Sequence, residues 1–136
     1  MHNLTVPAEK VQIDLVQDFV RKEMEAHGFN KRQQGQMALC VEEIFVNIAS
    51  YAYPNNDGSA TISTDYDKQK DALEVSFKDK GLEYNPLLHK DPDIHAPAEE
   101  RGNGGLGILL VKKIMDAVAY TYKDQQNIFT IKMLKK

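Results

Sequence analysis

The stretch MALCVEEIFVNIASY, Met37–Tyr51, carries two patterns at once. Its apolar residues Met37, Val41, Ile44, Ile48 and Tyr51 follow one another at spacings of 4, 3, 4 and 3, the stripe of a helix that faces a core. Beside that stripe stand Glu43 and Asn47, four positions apart and so on one face, about one turn from each other. A carboxylate next to a carboxamide can hold a hard cation while the carboxylate takes up a proton. The same pair also suits a solvated polar stripe with i,i+4 contacts. Glu42, one residue earlier, faces elsewhere. The spacing predicts a helix from about Lys31 to Tyr51.

Upstream, His2–Val6 reads as a short strand ended by Pro7. From Ala8 to Ala26 a helix is expected, with Val11, Leu15, Val16, Phe19 and Val20 as its core stripe and His27-Gly28 as its stop. Downstream, Pro54–Gly58 is dense turn chemistry. Ala60–Tyr66 and Ala72–Lys78 flank the polar turn Asp67–Asp71 and read as a hairpin. Asp79 to Gly107 is the least regular stretch, with Pro86, Pro92, Pro97 and a run of glycines; long loops of this kind are functional or disordered. A helix over Leu106–Asp116 and a closing hairpin of Ala117–Tyr122 with Ile128–Leu134 complete the order β-α-α-β-β-loop-α-β-β. That order describes an α+β two-layer sandwich, a mostly antiparallel sheet with helices on one face.

The 136 residues suffice for one domain with its own core, and no linker or repeat divides them, so residues 1–136 are read as a single unit. A composition of 42% hydrophobic and 27% charged residues excludes a disordered or collagenous chain. The formal net charge of −3 lacks the basic footprint of a nucleic-acid binder. It leaves room for a small anionic ligand held by backbone amides. No apolar run has the length of a membrane span, and Met1–Lys10 has no signal-peptide core, so neither membrane nor nucleic acid is expected as a partner. The single cysteine, Cys40, supports no internal disulfide, and the expected setting is cytoplasmic.

Two further motifs follow the helix. Asp79-Lys80-Gly81 lies directly after a strand, where an Asp can present a fixed acceptor to an exocyclic amine such as that of adenine. An Asp-x-Gly turn of no further consequence has the same sequence. Gly102-Asn103-Gly104-Gly105-Leu106-Gly107 opens the third helix. Glycines let the backbone approach phosphates, and a helix start offers unpaired N–H groups and a positive dipole end. No Lys-Ser/Thr follows, so it is not a P-loop, and no strand leads into it as a dinucleotide fingerprint requires.

In combination and in this order, these motifs resemble those of the GHKL ATP-binding superfamily, which includes DNA gyrase, histidine kinases and mismatch-repair ATPases. Glu43–Asn47 resembles the N box, Asp79-x-Gly81 the first glycine box and Gly102–Gly107 the second. Within the superfamily, Val41–Tyr53 and Gly104–Asp116 look like the anti-sigma-factor serine/threonine protein kinases of bacterial partner-switching systems. The resemblance implies a Bergerat fold, with ATP and Mg²⁺ as cofactors. It implies that Asn47 helps hold Mg²⁺, that Glu43 is the general base, and that Asp79 accepts from the adenine amine with Gly81 giving room for the base. Gly102, Gly104, Gly105, Leu106 and Gly107 would cradle phosphates, Thr130 would join the ATP-binding residues, and Pro86–Asn103 would be the lid. Departures are Glu83 at the place of a second glycine, Tyr51 where a His is common, and Asn127-Ile128-Phe129-Thr130 in place of a Gly-Thr before the last strand.

The partners so implied are a sigma factor and a small anti-anti-sigma antagonist phosphorylated on Ser or Thr, with the chain a homodimer. The alternative is a nucleotide-dependent binding module that sequesters a partner with little or no transfer. His89 and His95 alternate with acidic residues but are read as part of a solvated lid, and Cys40 as a packing residue.

Overall fold

The computed structural model of the chain describes residues 1–55, 57–88 and 105–136. β1 (His2–Pro7) is followed by α1 (Ile13–Ala26), α2 (Lys31–Tyr51), β2 (Ser59–Asp67), β3 (Ala72–Asp79), α3 (Gly105–Ile114), β4 (Ala117–Lys123) and β5 (Gln126–Leu134). The strands form one 5-stranded sheet in the order β1-β2-β3-β5-β4, every neighbouring pair antiparallel. The three helices cover one face, giving the expected α+β sandwich.

α2 is the central helix. Asn30 caps it, its side chain accepting from Gln33 N at 2.8 Å. Met37, Cys40, Val41, Ile44, Phe45 and Ile48 are buried along it. Burial, and secondarily Glu43, pushes the Cys40 thiol up to about 12, so this cysteine is an inert packing group. Facing α2, alternate residues of the two central strands turn inward: Leu73, Val75, Phe77 and Asp79 on β3, and Asn127, Phe129, Ile131 and Met133 on β5.

α1 departs from the expectation. The chain first makes a short 3-10 turn at Lys10–Gln12, and the α-helix begins at Ile13 rather than Ala8. Val11 therefore lies outside the α-helical phase and is 78% exposed, and Leu15, one position round from the buried Val16, is 50% exposed. The buried stripe is Val16, Val20 and Met24. Tyr51, at the last turn of α2, is likewise half exposed rather than in the core.

The β4–β5 hairpin turns on Asp124 and Gln125, both at positive φ, as a two-residue type I′ loop demands. Among the described residues no helix is long and apolar enough to cross a membrane.

Candidate functional site

A cavity of about 210 Å³ opens between α2, the end of β3 with its following loop, the start of α3 and the β4–β5 hairpin. Its walls are apolar: Ile44 and Ile48 from α2, Phe77 from β3, Ile108 from α3 and Phe129 from β5. Four polar side chains break them, Asn47, Asp79, Glu83 and Asn127, with Tyr51, Tyr84 and Tyr120 adding phenol rings. Few polar groups set in an apolar slot is the usual make-up of a small-molecule site.

Asp79 is the last residue of β3 and is only 6% exposed. Its Oδ1 accepts from Gly81 N and from Asn127 Nδ2, each at 2.9 Å. Oδ2 accepts no hydrogen bond among the described residues. Burial holds the carboxyl above the ordinary carboxylate value, and the bonds from Asn127 and Gly81 oppose that shift. A buried acceptor with one open oxygen suits an amine donor arriving in the slot.

Gly81 is required for a reason other than the one the resemblance implies. A Cβ there would collide with the carbonyl oxygen of Ala52, at the end of α2, and lie 2.6 Å from its carbon. The space beside Gly81 is filled by protein, and Leu82 N donates to that same carbonyl at 2.9 Å. The missing side chain makes room for the end of α2, and Gly81 is not among the residues that line the cavity.

Asn47 lines the cavity, and Glu43, one turn earlier, is half-buried beside Gly107. A Cβ at Gly107 would overlap Glu43 Oε2 and come within 3.1 Å of its carboxyl carbon. The bare α-carbon lets the first turn of α3 close on the Glu43 carboxylate. Gly105 and Leu106 open that turn, where backbone N–H groups have no intrahelical acceptor. Glu43, Asn47 and the α3 N-terminus therefore meet at one end of the site. Among the described residues no cluster of three or more His, Cys, Asp or Glu could hold a metal by itself. The donor set present suits Mg²⁺ that arrives with a polyphosphate and takes one protein ligand from Asn47.

Thr130 is not brought to the cavity. Alternation along β5 turns Asn127 and Phe129 inward and Thr130 to the opposite face, where its hydroxyl lies 3.0 Å from Ser76 Oγ. Gly102, Gly104, His89, His95 and the expected lid beyond Leu88 lie outside the described residues.

The residue that sequence reasoning missed is Asn127. Buried to 6% exposure, it donates from Nδ2 to Asp79 Oδ1 and to Leu82 O at 2.8 Å, and accepts on Oδ1 from Tyr84 N at 3.0 Å and from the Tyr120 hydroxyl. The available signal was its place in Asn127-Ile128-Phe129-Thr130, the stretch that stands where the family motif has Gly-Thr.

Residues 6–133 match the Histidine kinase-like ATPase domain family, and the chain belongs to that family. Within it, the likeness runs to proteins named serine or serine/threonine-protein kinases. The chain is 24% identical over 104 residues to the serine/threonine-protein kinase BtrW of Bordetella bronchiseptica, covering 76% of this chain and 72% of that protein. It is 26% identical over 114 residues to the serine-protein kinase RsbW of Listeria monocytogenes, covering 80% and 71%. In fold it matches a chain of the SiaB–SiaC complex from Pseudomonas aeruginosa with a TM-score of 0.62 at 17% identity, over 98% of this chain and 89% of that one.

Proposed function

We propose that this chain binds ATP with Mg²⁺ and transfers the γ-phosphate to a Ser or Thr hydroxyl of a small antagonist protein, while its other state sequesters a sigma factor. The observation that carries the reading is the buried Asp79, one oxygen bonded by Gly81 and Asn127 and the other open in an apolar slot. The likeness to proteins named serine kinases supports the choice of acceptor.

In this reading Asp79 accepts from the adenine amine while Ile44, Ile48 and Phe129 exclude water from the base. Asn47 holds the metal, which neutralises charge on the phosphates. The N–H groups at the start of α3 receive phosphate oxygens, favoured by the helix dipole. Glu43 takes the proton of the attacking hydroxyl as its oxygen bonds to the γ-phosphorus and the bond to ADP breaks. Positioning and charge neutralisation are most of what such a transfer asks.

A binding module without transfer uses the same pocket. What favours it is that Glu43 rests against Gly107 and is not among the cavity-lining residues. Thermal unfolding with and without Mg-ATP tests the shared part. A ligand at 100 times its Kd stabilises by about 2.7 kcal/mol, a rise of roughly 5–10 °C for a domain of this size. The rise should vanish in Asp79→Asn. Glu43→Ala should keep it and lose phosphate transfer to the antagonist. Equal transfer by wild type and Glu43→Ala would remove Glu43 as the base.

A further inference from the structure

We propose that Asn127 is the positioning residue of base recognition: together with the Gly81 amide it fills Asp79 Oδ1, leaving Oδ2 as the carboxylate oxygen that reads a ligand. This rests on the nucleotide reading above and adds to it how the carboxylate is aimed.

An amide side chain has two hydrogens and two acceptor sites on its oxygen. All four are used at Asn127: both hydrogens go to Asp79 Oδ1 and Leu82 O, and the oxygen receives Tyr84 N and the Tyr120 hydroxyl. The two ends of the amide cannot be exchanged, because the oxygen would then face Oδ1 of Asp79 and the amino group would face two donors. The orientation of Asn127 is therefore fixed by β4, by the loop after β3 and by Asp79 together.

The consequence lies on Asp79. Its Oδ1 already receives two donors, so a proton taken up by this carboxyl goes to Oδ2. Ionised, the pocket presents an acceptor and selects a 6-aminopurine. Protonated, it presents a donor and selects a 6-oxopurine. The other titratable groups around Asp79 are Tyr51 and Tyr53 at the end of α2, Glu83 and Tyr84 in the following loop and Tyr120 on β4, with Lys80 exposed beside it. Burial pushes the Tyr53, Tyr84 and Tyr120 hydroxyls up, so they stay neutral through acid and neutral pH. Titration of the phosphates acts alike on any purine triphosphate.

The experiment compares the affinity of the whole chain for Mg-ATP and for Mg-inosine triphosphate, which carries a carbonyl oxygen at position 6, from pH 8 to pH 5. At pH 8 the wild type should prefer ATP by about 10–100-fold, the worth of one bond to a buried charged group. That preference should shrink steadily on acidification. Asn127→Asp, which keeps the acceptor and sets a second carboxylate against Oδ1, should bind ATP roughly tenfold or more weakly than wild type at pH 8. The variant should regain ATP affinity relative to wild type as the pH falls, since the shared proton then lies between the two carboxylates and Oδ2 stays bare. Circular dichroism establishes that the variant is folded; should it not fold, the wild-type ratio decides alone. A wild type that does not distinguish the two nucleotides at pH 8, or a folded Asn127→Asp that binds ATP as wild type does, overturns the role of Asn127 and leaves the nucleotide reading intact. Binding of neither nucleotide at any pH overturns both.

Discussion

Asn127 and Thr64 are both polar, both buried and both on inward-facing positions of the same sheet, yet they are treated in opposite ways. Asn127, at the cavity, has every hydrogen-bonding position filled. Thr64, in the middle of β2, is 0% exposed and its hydroxyl has no partner among the described residues. A lost partner costs far more than a hydrogen bond gains, so the first arrangement fixes a geometry and the second only spends stability. The buried polar group at the cavity is held in one geometry, whereas the Thr64 hydroxyl is tolerated at a loss.

That contrast can be tested by substitution, read as urea midpoints at constant m. Asn127→Leu should be the most damaging, at about 3 kcal/mol, because it orphans Leu82 O, Tyr84 N and the Tyr120 hydroxyl together. A loss no larger than that of a surface site would mean that the loop re-forms its bonds elsewhere. Gln33→Leu should cost about 1.5 kcal/mol: Gln33 is buried, but its amide ties only Leu134 O at 2.8 Å and Lys136 N at 3.4 Å. Thr64→Val should change the sign and raise stability by about 1 kcal/mol, since it removes an unpaired hydroxyl without changing shape. Ser63, the next residue on the opposite face, makes the partnered comparison: its hydroxyl donates to Asn3 Oδ1 at 2.6 Å, and Ser63→Ala should cost about 0.7 kcal/mol. If Thr64→Val and Ser63→Ala move stability in the same direction, hydrogen-bond satisfaction is not what distinguishes these sites.

Asp79 adds a pH dependence of smaller amplitude. Its folded-state value lies above the ordinary 3.8, so the folded chain holds the proton more tightly than the unfolded one. The resulting stabilisation is fully present below 3.8 and is lost as the pH rises through the folded value. Asp79→Asn should flatten that part of the stability profile.

The elements were legible where a pattern was complete within one stretch. α2 shows its stripe locally, with dense turn chemistry beyond it at Pro54–Gly58, and its observed ends are those read from the spacing, Lys31 and Tyr51. α1 was read out of phase because Val11 and Leu15 are apolar residues the fold leaves in solvent; only the 3-10 turn shifts the register, and nothing local announces it. In the site, Glu43, Asn47, Asp79 and Gly107 stood in recognisable motifs. Thr130 carried the wrong parity, since a one-residue difference along a strand moves a side chain to the other face. Asn127 was illegible for a different reason. Three of its four partners lie 48, 45 and 43 positions away, and a hub made by tertiary coincidence leaves no periodicity in the chain.

The strand order has a consequence in time. Asp79 and Asn127 meet only because β3 and β5 are neighbours, although α3 and β4 come between them in the chain. Closing so long a loop is entropically costly and belongs to the slow, non-local part of folding. On the ribosome the base pocket has no counterpart until β5 has emerged and paired, so a nascent chain carrying Glu43, Asn47, Asp79 and Gly107 still has nothing with which to aim its carboxylate. In the proposed reading, nucleotide would act on the finished sheet alone, stabilising by mass action the one state in which every strand is in place.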